Sequence, residues 1–105
     1  MGTIDVQDTA AHIVATLRAH EPELRAAGIR RLSLFGSVAR GDAAPGSDVD
    51  LAVDLDPRAG IDLFGLTALQ QRIADLLGRP VDLLPEPVDK PRLQASIDRD
   101  RHLAF

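Results

Sequence analysis

The 105-residue chain has no cysteine, tryptophan or tyrosine, and its only aromatic residues are three phenylalanines. Without cysteine there is no disulfide, no thiolate zinc site and no cysteine nucleophile, and a cytoplasmic setting fits. So few aromatics argue against a base-stacking platform for single-stranded nucleic acid. Positive charge is also short: the net charge is −4, which speaks against direct nucleic-acid binding through a broad basic footprint. No apolar run approaches the roughly 20 residues that span a membrane. The opening Met1-Gly2-Thr3-Ile4-Asp5-Val6 has neither the basic region nor the apolar stretch of a secretory signal. Internal repeats and low-complexity tracts are likewise missing.

What remains is ordinary for a globular protein, with 45% hydrophobic and 27% charged residues. The length predicts one domain over residues 1–105, with room for a single core but none for a separate substrate domain. Any large acceptor is then expected from outside.

Periodicity predicts the elements. Val6, Ile13 and Leu17 recur at helical spacing over residues 6–20, with Asp5 or Asp8 as the cap, and a short helical turn follows to Gly28. Residues 30–35 alternate as a strand that runs directly into Gly36-Ser37, and residues 37–40 open a short helix whose first N–H groups would face an anion. In the strand over residues 48–55, Val49, Leu51, Val53 and Leu55 share the core face. Asp48, Asp50, Ala52 and Asp54 share the other face, expected to line a cleft. Leu63, Leu66, Leu69, Ile73, Leu76 and Leu77 form the apolar stripe of a long helix that Gly78 stops. A third strand over residues 80–84 carries Asp82 between Val81 and Leu83, and Pro91 opens a last helix. Residues 102–105 are expected to cover the sheet. The predicted fold class is α/β, a small mixed or parallel sheet flanked by helices.

Within this framework one segment combines two chemistries. Gly36 lets backbone approach a ligand closely, and Ser37 adds a hydroxyl. Ten residues later, Asp48 and Asp50 are spaced two apart on an extended segment and project from the same face. Hard divalent cations prefer such carboxylate oxygens, and magnesium completes its shell with water and phosphate. Either half alone is commonplace: a Gly-Ser turn is usually only a turn, and an Asp-x-Asp pair is common on solvated strands. Joined at this spacing, with Asp82 on a later strand, they point to a metal-assisted nucleotide site.

The run from Gly36 to Asp50 resembles the nucleotidyltransferase pattern of the DNA-polymerase-beta-like superfamily. Arg40-Gly41-Asp42, Ser47-Asp48 and Leu51 are similar to the minimal nucleotidyltransferases, the MNT-type antitoxins that pair with HEPN toxins. Residues 78–84 resemble that family's third-carboxylate strand, and Lys90-Pro91-Arg92-Leu93 its closing helix. The resemblance implies a polymerase-beta-like nucleotidyltransferase fold and transfer of AMP from ATP to a hydroxyl by two magnesium ions. Asp48, Asp50 and Asp82 would be the catalytic and metal-holding residues, while Gly36, Ser37, Arg40 and Ser47 would bind the nucleotide. The implied acceptor is a tyrosine of a cognate HEPN ribonuclease toxin. An antitoxin that keeps the cleft but neutralises its toxin by occlusion is the alternative.

The other polar residues carry plainer expectations. Arg40 could instead pair with Asp42, and Asp42 and Asp54 are expected to be solvated or turn-forming. His12, His20 and His102 form no metal set. Arg92, Arg99 and Arg101 are expected to make a solvated helix face.

Overall fold

The computed structural model describes residues 9–44 and 46–105. Along the chain lie α1 (Ala10–Ala19), α2 (Glu21–Ala26), β1 (Ile29–Phe35), α3 (Gly36–Arg40) and β2 (Val49–Leu55). A 3-10 turn (Pro57–Ala59), α4 (Leu63–Leu77), β3 (Val81–Pro85), α5 (Pro91–Asp100) and β4 (His102–Leu103) complete it. The four strands form one mixed sheet in the order β3-β2-β1-β4. β1 is antiparallel to both β2 and β4, whereas β2 and β3 run parallel. A parallel pair needs a crossover connection, and α4 supplies it.

Local chemistry sets the helix ends. Thr9 caps α1, its hydroxyl accepting from the His12 N–H at 3.1 Å. The expected earlier start at Val6 and the Asp5 or Asp8 cap lie outside the described residues. Asp62 caps α4 by accepting from the Gly65 N–H at 2.8 Å, and Gly78 closes it in the left-handed conformation at φ +68°. Among the described residues no helix is long and apolar enough to cross a membrane.

The sheet is covered on both faces. Leu32 and Leu34 of β1 with Val49, Leu51 and Val53 of β2 meet Ile13 and Leu17 of α1 and Leu69 and Ile73 of α4, all buried. On the opposite face Phe35 and Ala52 pack under Ile97 of α5. That contact corrects the expected continuous cleft along the second face of β2: α5 roofs Ala52, which divides the face into an end carrying Asp48 and Asp50 and an end carrying Asp54, both partly open. Two further expectations change for related reasons. Leu63 is 73% exposed, and Phe64 beside it 84%, because the core contact of α4 begins one turn later. Residues 102–105 cover the sheet only in part: His102 and Leu103 pair with β1 at the sheet edge, while Ala104 is buried in the core and Phe105 packs against it.

Arg101 is not on a solvated face. Its guanidinium donates to Glu86 at 2.7 and 2.6 Å, to Asp98 at 2.9 Å and to the buried Ser33 hydroxyl at 2.9 Å. With side chains 18% and 10% exposed, Arg101 and Glu86 form a mostly buried pair that ties the turn after β3 to the end of α5. The Arg101 hydrogen bonds hold the Glu86 carboxyl below its ordinary range. A depressed carboxyl contributes stability above its unfolded value of 4.5 and loses it as pH falls through the folded value. Glu86→Ala should therefore lower stability by about 3 kcal/mol at neutral pH. In urea titrations across pH, that deficit should shrink once the pH drops below the unfolded value.

Candidate active site

Strand register builds the open end of the sheet. Asp50 lies opposite Phe35 on one side and opposite Asp82 on the other, so the parallel β2–β3 pair brings Asp50 and Asp82 side by side. Asp82 is exposed while its neighbours Val81 and Leu83 are buried, which directs it away from the main core as the alternation predicts. Asp48 is exposed and sits one residue ahead of β2.

Gly36 forms the floor. The chain leaves β1 at Phe35 and turns into α3 through Gly36 at φ +79°, a conformation that disfavours any side chain. A Cβ there would collide with the Asp50 carboxylate oxygen and crowd its Cγ at 3.2 Å. Glycine is thus required both for the backbone angle and for the space that Asp50 occupies. Ser37 follows, half-buried, and its carbonyl accepts from the Asp42 N–H at 3.0 Å. Gly41, also left-handed at φ +80°, ends α3 and turns the chain toward Asp42.

Charge is concentrated at this end. Burial first, then the charges of Asp82 and Asp48, push the Asp50 carboxyl above its ordinary range, with the Arg40 charge acting in the opposite sense. Arg40 pairs with Asp42 at 3.1 Å, as its plainer reading had it, and also with Asp100 of α5 at 2.8 Å. These bonds use Nε and Nη1 and do not exhaust the five donors of a guanidinium. Ser47 donates its N–H to the Ala44 carbonyl at 3.1 Å.

Two residues at the site were missed in sequence. Asp100 is buried, with its carboxyl held low chiefly by the Arg40 hydrogen bond. Its signal was an acid three residues after Ile97, on the apolar side of an amphipathic helix. Arg79, in the turn before β3, donates to the Ser47 carbonyl. Nothing in its local pattern separates it from an ordinary turn residue.

The donor set fits magnesium. Among the described residues no three His, Cys, Asp or Glu side chains are gathered closely enough to hold a metal by themselves. Magnesium asks for less, one or two carboxylates with water and phosphate oxygens, and dislikes an all-protein cage. The Asp50 carboxyl, raised by burial and by the neighbouring Asp82 and Asp48 charges, lies where a cation relieves repulsion.

Comparisons with known proteins point to a family. The model of a nucleotidyltransferase domain family matches residues 17–102. The protein adenylyltransferase MntA of Thermococcus cleftensis is 34% identical over 93 residues, covering 88% of this chain and 92% of that protein. A solved structure described as a minimal nucleotidyltransferase is 34% identical with a TM-score of 0.65, over 85% of this chain and 93% of that one. A toxin–antitoxin complex solved with AMP-PNP shares the fold, with a TM-score of 0.68 at 24% identity over 86% and 72% of the two chains.

Gly36→Ala should destabilise the protein by about 1–2 kcal/mol through backbone strain and displace Asp50, seen as lost nucleotide-dependent thermal stabilisation. Asp50→Asn should do the reverse to stability. Because the Asp50 carboxyl is raised in the fold, its ionisation opposes folding once the pH exceeds 3.8, the unfolded value. Calorimetry in chelator is expected to give a higher Tm for Asp50→Asn at pH 7, with the gap closing toward acid. A lower Tm for the variant at neutral pH would contradict the penalty assigned to burial and repulsion of the Asp50 carboxylate.

Proposed function

The chain belongs to the nucleotidyltransferase domain family, and from that membership and the arrangement around Gly36 we propose that it is an antitoxin adenylyltransferase. In this reading it transfers AMP from ATP to a hydroxyl, a tyrosine, on a cognate HEPN-type ribonuclease toxin and so silences it. The 105 residues act as one minimal catalytic domain in the cytoplasm. The observation that carries the reading is Asp50 pressed against a side-chain-free Gly36 and set in register with Asp82. A phosphate turn and an acidic pair then open on the same space. Support for the adenylyl group and the toxin partner comes from the naming of the adenylyltransferase relative and from the toxin–antitoxin complex that shares the fold.

Each residue has a task in this scheme. Gly36 and Ser37 receive the triphosphate oxygens with backbone N–H groups and a hydroxyl, and Ser47 borders the nucleotide from the opposite loop. Asp48 and Asp50 hold two magnesium ions with Asp82 completing the set. When bound, the ions neutralise charge on the leaving phosphates and lower the pKa of the acceptor hydroxyl. The acceptor oxygen attacks the α-phosphorus, its proton passes to Asp82, and the bond to the bridging oxygen breaks to release pyrophosphate. Arg40, anchored by Asp42 and Asp100, turns its remaining donors toward the phosphates.

Incubation with a HEPN partner, magnesium and ATP labelled on either the α- or the γ-phosphate tests the reading. Only α-label should reach the partner, and Asp48→Asn or Asp50→Asn should slow transfer at least about 100-fold, the scale of losing several kcal/mol of charge stabilisation. Unlabelled partner that is inhibited equally by the wild type and both variants would replace catalysis with occlusion.

A further inference from the structure

We propose that Arg79 is a positioning residue for Asp48, acting from the turn between α4 and β3. The inference rests on the reading of Asp48 as a metal-holding carboxylate. Asp48 is the one member of the acidic trio that lies outside a strand, since β2 begins at Val49 and Asp82 lies within β3. Its backbone therefore lacks the ladder that fixes Asp50 and Asp82. The peptide groups on both sides of it are instead held by consecutive residues of the α4–β3 turn.

On the upstream side, the Arg79 guanidinium donates to the Ser47 carbonyl. On the downstream side, the Val49 N–H donates to the Pro80 carbonyl at 3.0 Å. Ser47 is also tied to its own loop through the Ala44 carbonyl at 3.1 Å. Arg79 and Pro80 thus bracket Asp48 from one direction and set where its carboxylate starts relative to Asp50. The Pro80 bond is a backbone bond that many residues could make. The Arg79 bond needs a long side chain with a directed donor.

The turn itself is well placed for this. Gly78 ends α4 with its N–H bonded to the Ala74 carbonyl at 2.8 Å, and the Arg79 N–H reaches the same carbonyl at 3.3 Å. The Arg79 backbone is therefore fixed before its side chain extends, and its Nε is buried. A lysine there could place a charge near Ser47 but could not reproduce the planar fork. Removal of the guanidinium should free the loop ahead of Asp48 while leaving β2, which is paired on both sides, intact.

Amide hydrogen exchange and metal binding on Arg79→Met and Arg79→Lys test this, with Arg72→Met, whose wild-type side chain pairs with Glu23 on the surface, as the control. In Arg79→Met the Ser47 and Val49 amides should exchange about tenfold faster, the scale of one lost hydrogen bond, while the Ala52 amide stays protected. Binding of Mn2+ with a non-hydrolysable ATP analogue, followed by electron paramagnetic resonance, should weaken by a similar factor. Arg79→Lys should fall between, and Arg72→Met should match the wild type in both measurements. Unchanged exchange at Ser47 and Val49, or loosening spread evenly through β2, would overturn the positioning role. So would weakened exchange protection with unchanged metal affinity. A wild-type chain that binds no Mn2+ would sink the metal reading of Asp48, and the exchange data would still decide whether Arg79 orders this segment.

Discussion

A carboxylate packed against a glycine that cannot carry a side chain is the constraint on which the rest of the site depends. Gly36 must take a left-handed angle to turn β1 into α3, and Asp50 fills the space a Cβ would need. Asp50 can reach that position because β1 and β2 pair with Phe35 opposite Asp50. The same strand pairs in parallel with β3, which sets Asp82 beside it. Three acidic side chains then share one end of the sheet, and Asp50, raised first by its burial and then by the Asp82 and Asp48 charges, bears the penalty. Such a penalty is tolerated where a cation is expected to bind, and it trades stability for function.

Around this strained end the fold is otherwise conservative. Hydrophobic contacts cover both sheet faces, and the remaining charges are largely engaged. Arg101 closes the far end of α5 onto Glu86, and Arg40 ties α3 to Asp100. Rigidity in these neighbours matters because a transfer reaction is sensitive to displacements of reacting groups by an ångström. Arg40 serves this role through α5, which also roofs Ala52 and leaves the acidic end of β2 open.

Much of this was legible in the sequence because period-two alternation is a strong signal for half-buried strands. Val49, Leu51 and Val53 alternating with Asp50 gave both the strand and the face of the acids, and Val81-Asp82-Leu83 repeated the pattern. What alternation cannot report is which element lies over the second face. Alternation therefore assigns Ala52 to a cleft wall, where in the fold α5 covers it. Long-range side-chain contacts are illegible for the same reason: Arg101 with Glu86 and Arg40 with Asp100 join residues far apart in sequence, and Arg101 reads locally as part of a solvated helix face. The edge pairing of His102 and Leu103 is illegible because four residues are too few to show a period. The exposure of Leu63 is illegible because a helical stripe does not say where along the helix its partner begins.

The central claim is that Asp48, Asp50 and Asp82 hold the metals for a nucleotide seated on Gly36-Ser37. A crystal structure with Mn2+ and a non-hydrolysable ATP analogue tests it most directly, because the metal's anomalous signal locates it independently of the protein. The account predicts metal peaks in contact with the Asp48 and Asp50 carboxylates and triphosphate oxygens along Gly36 and Ser37. Metal or triphosphate bound away from these residues would contradict it.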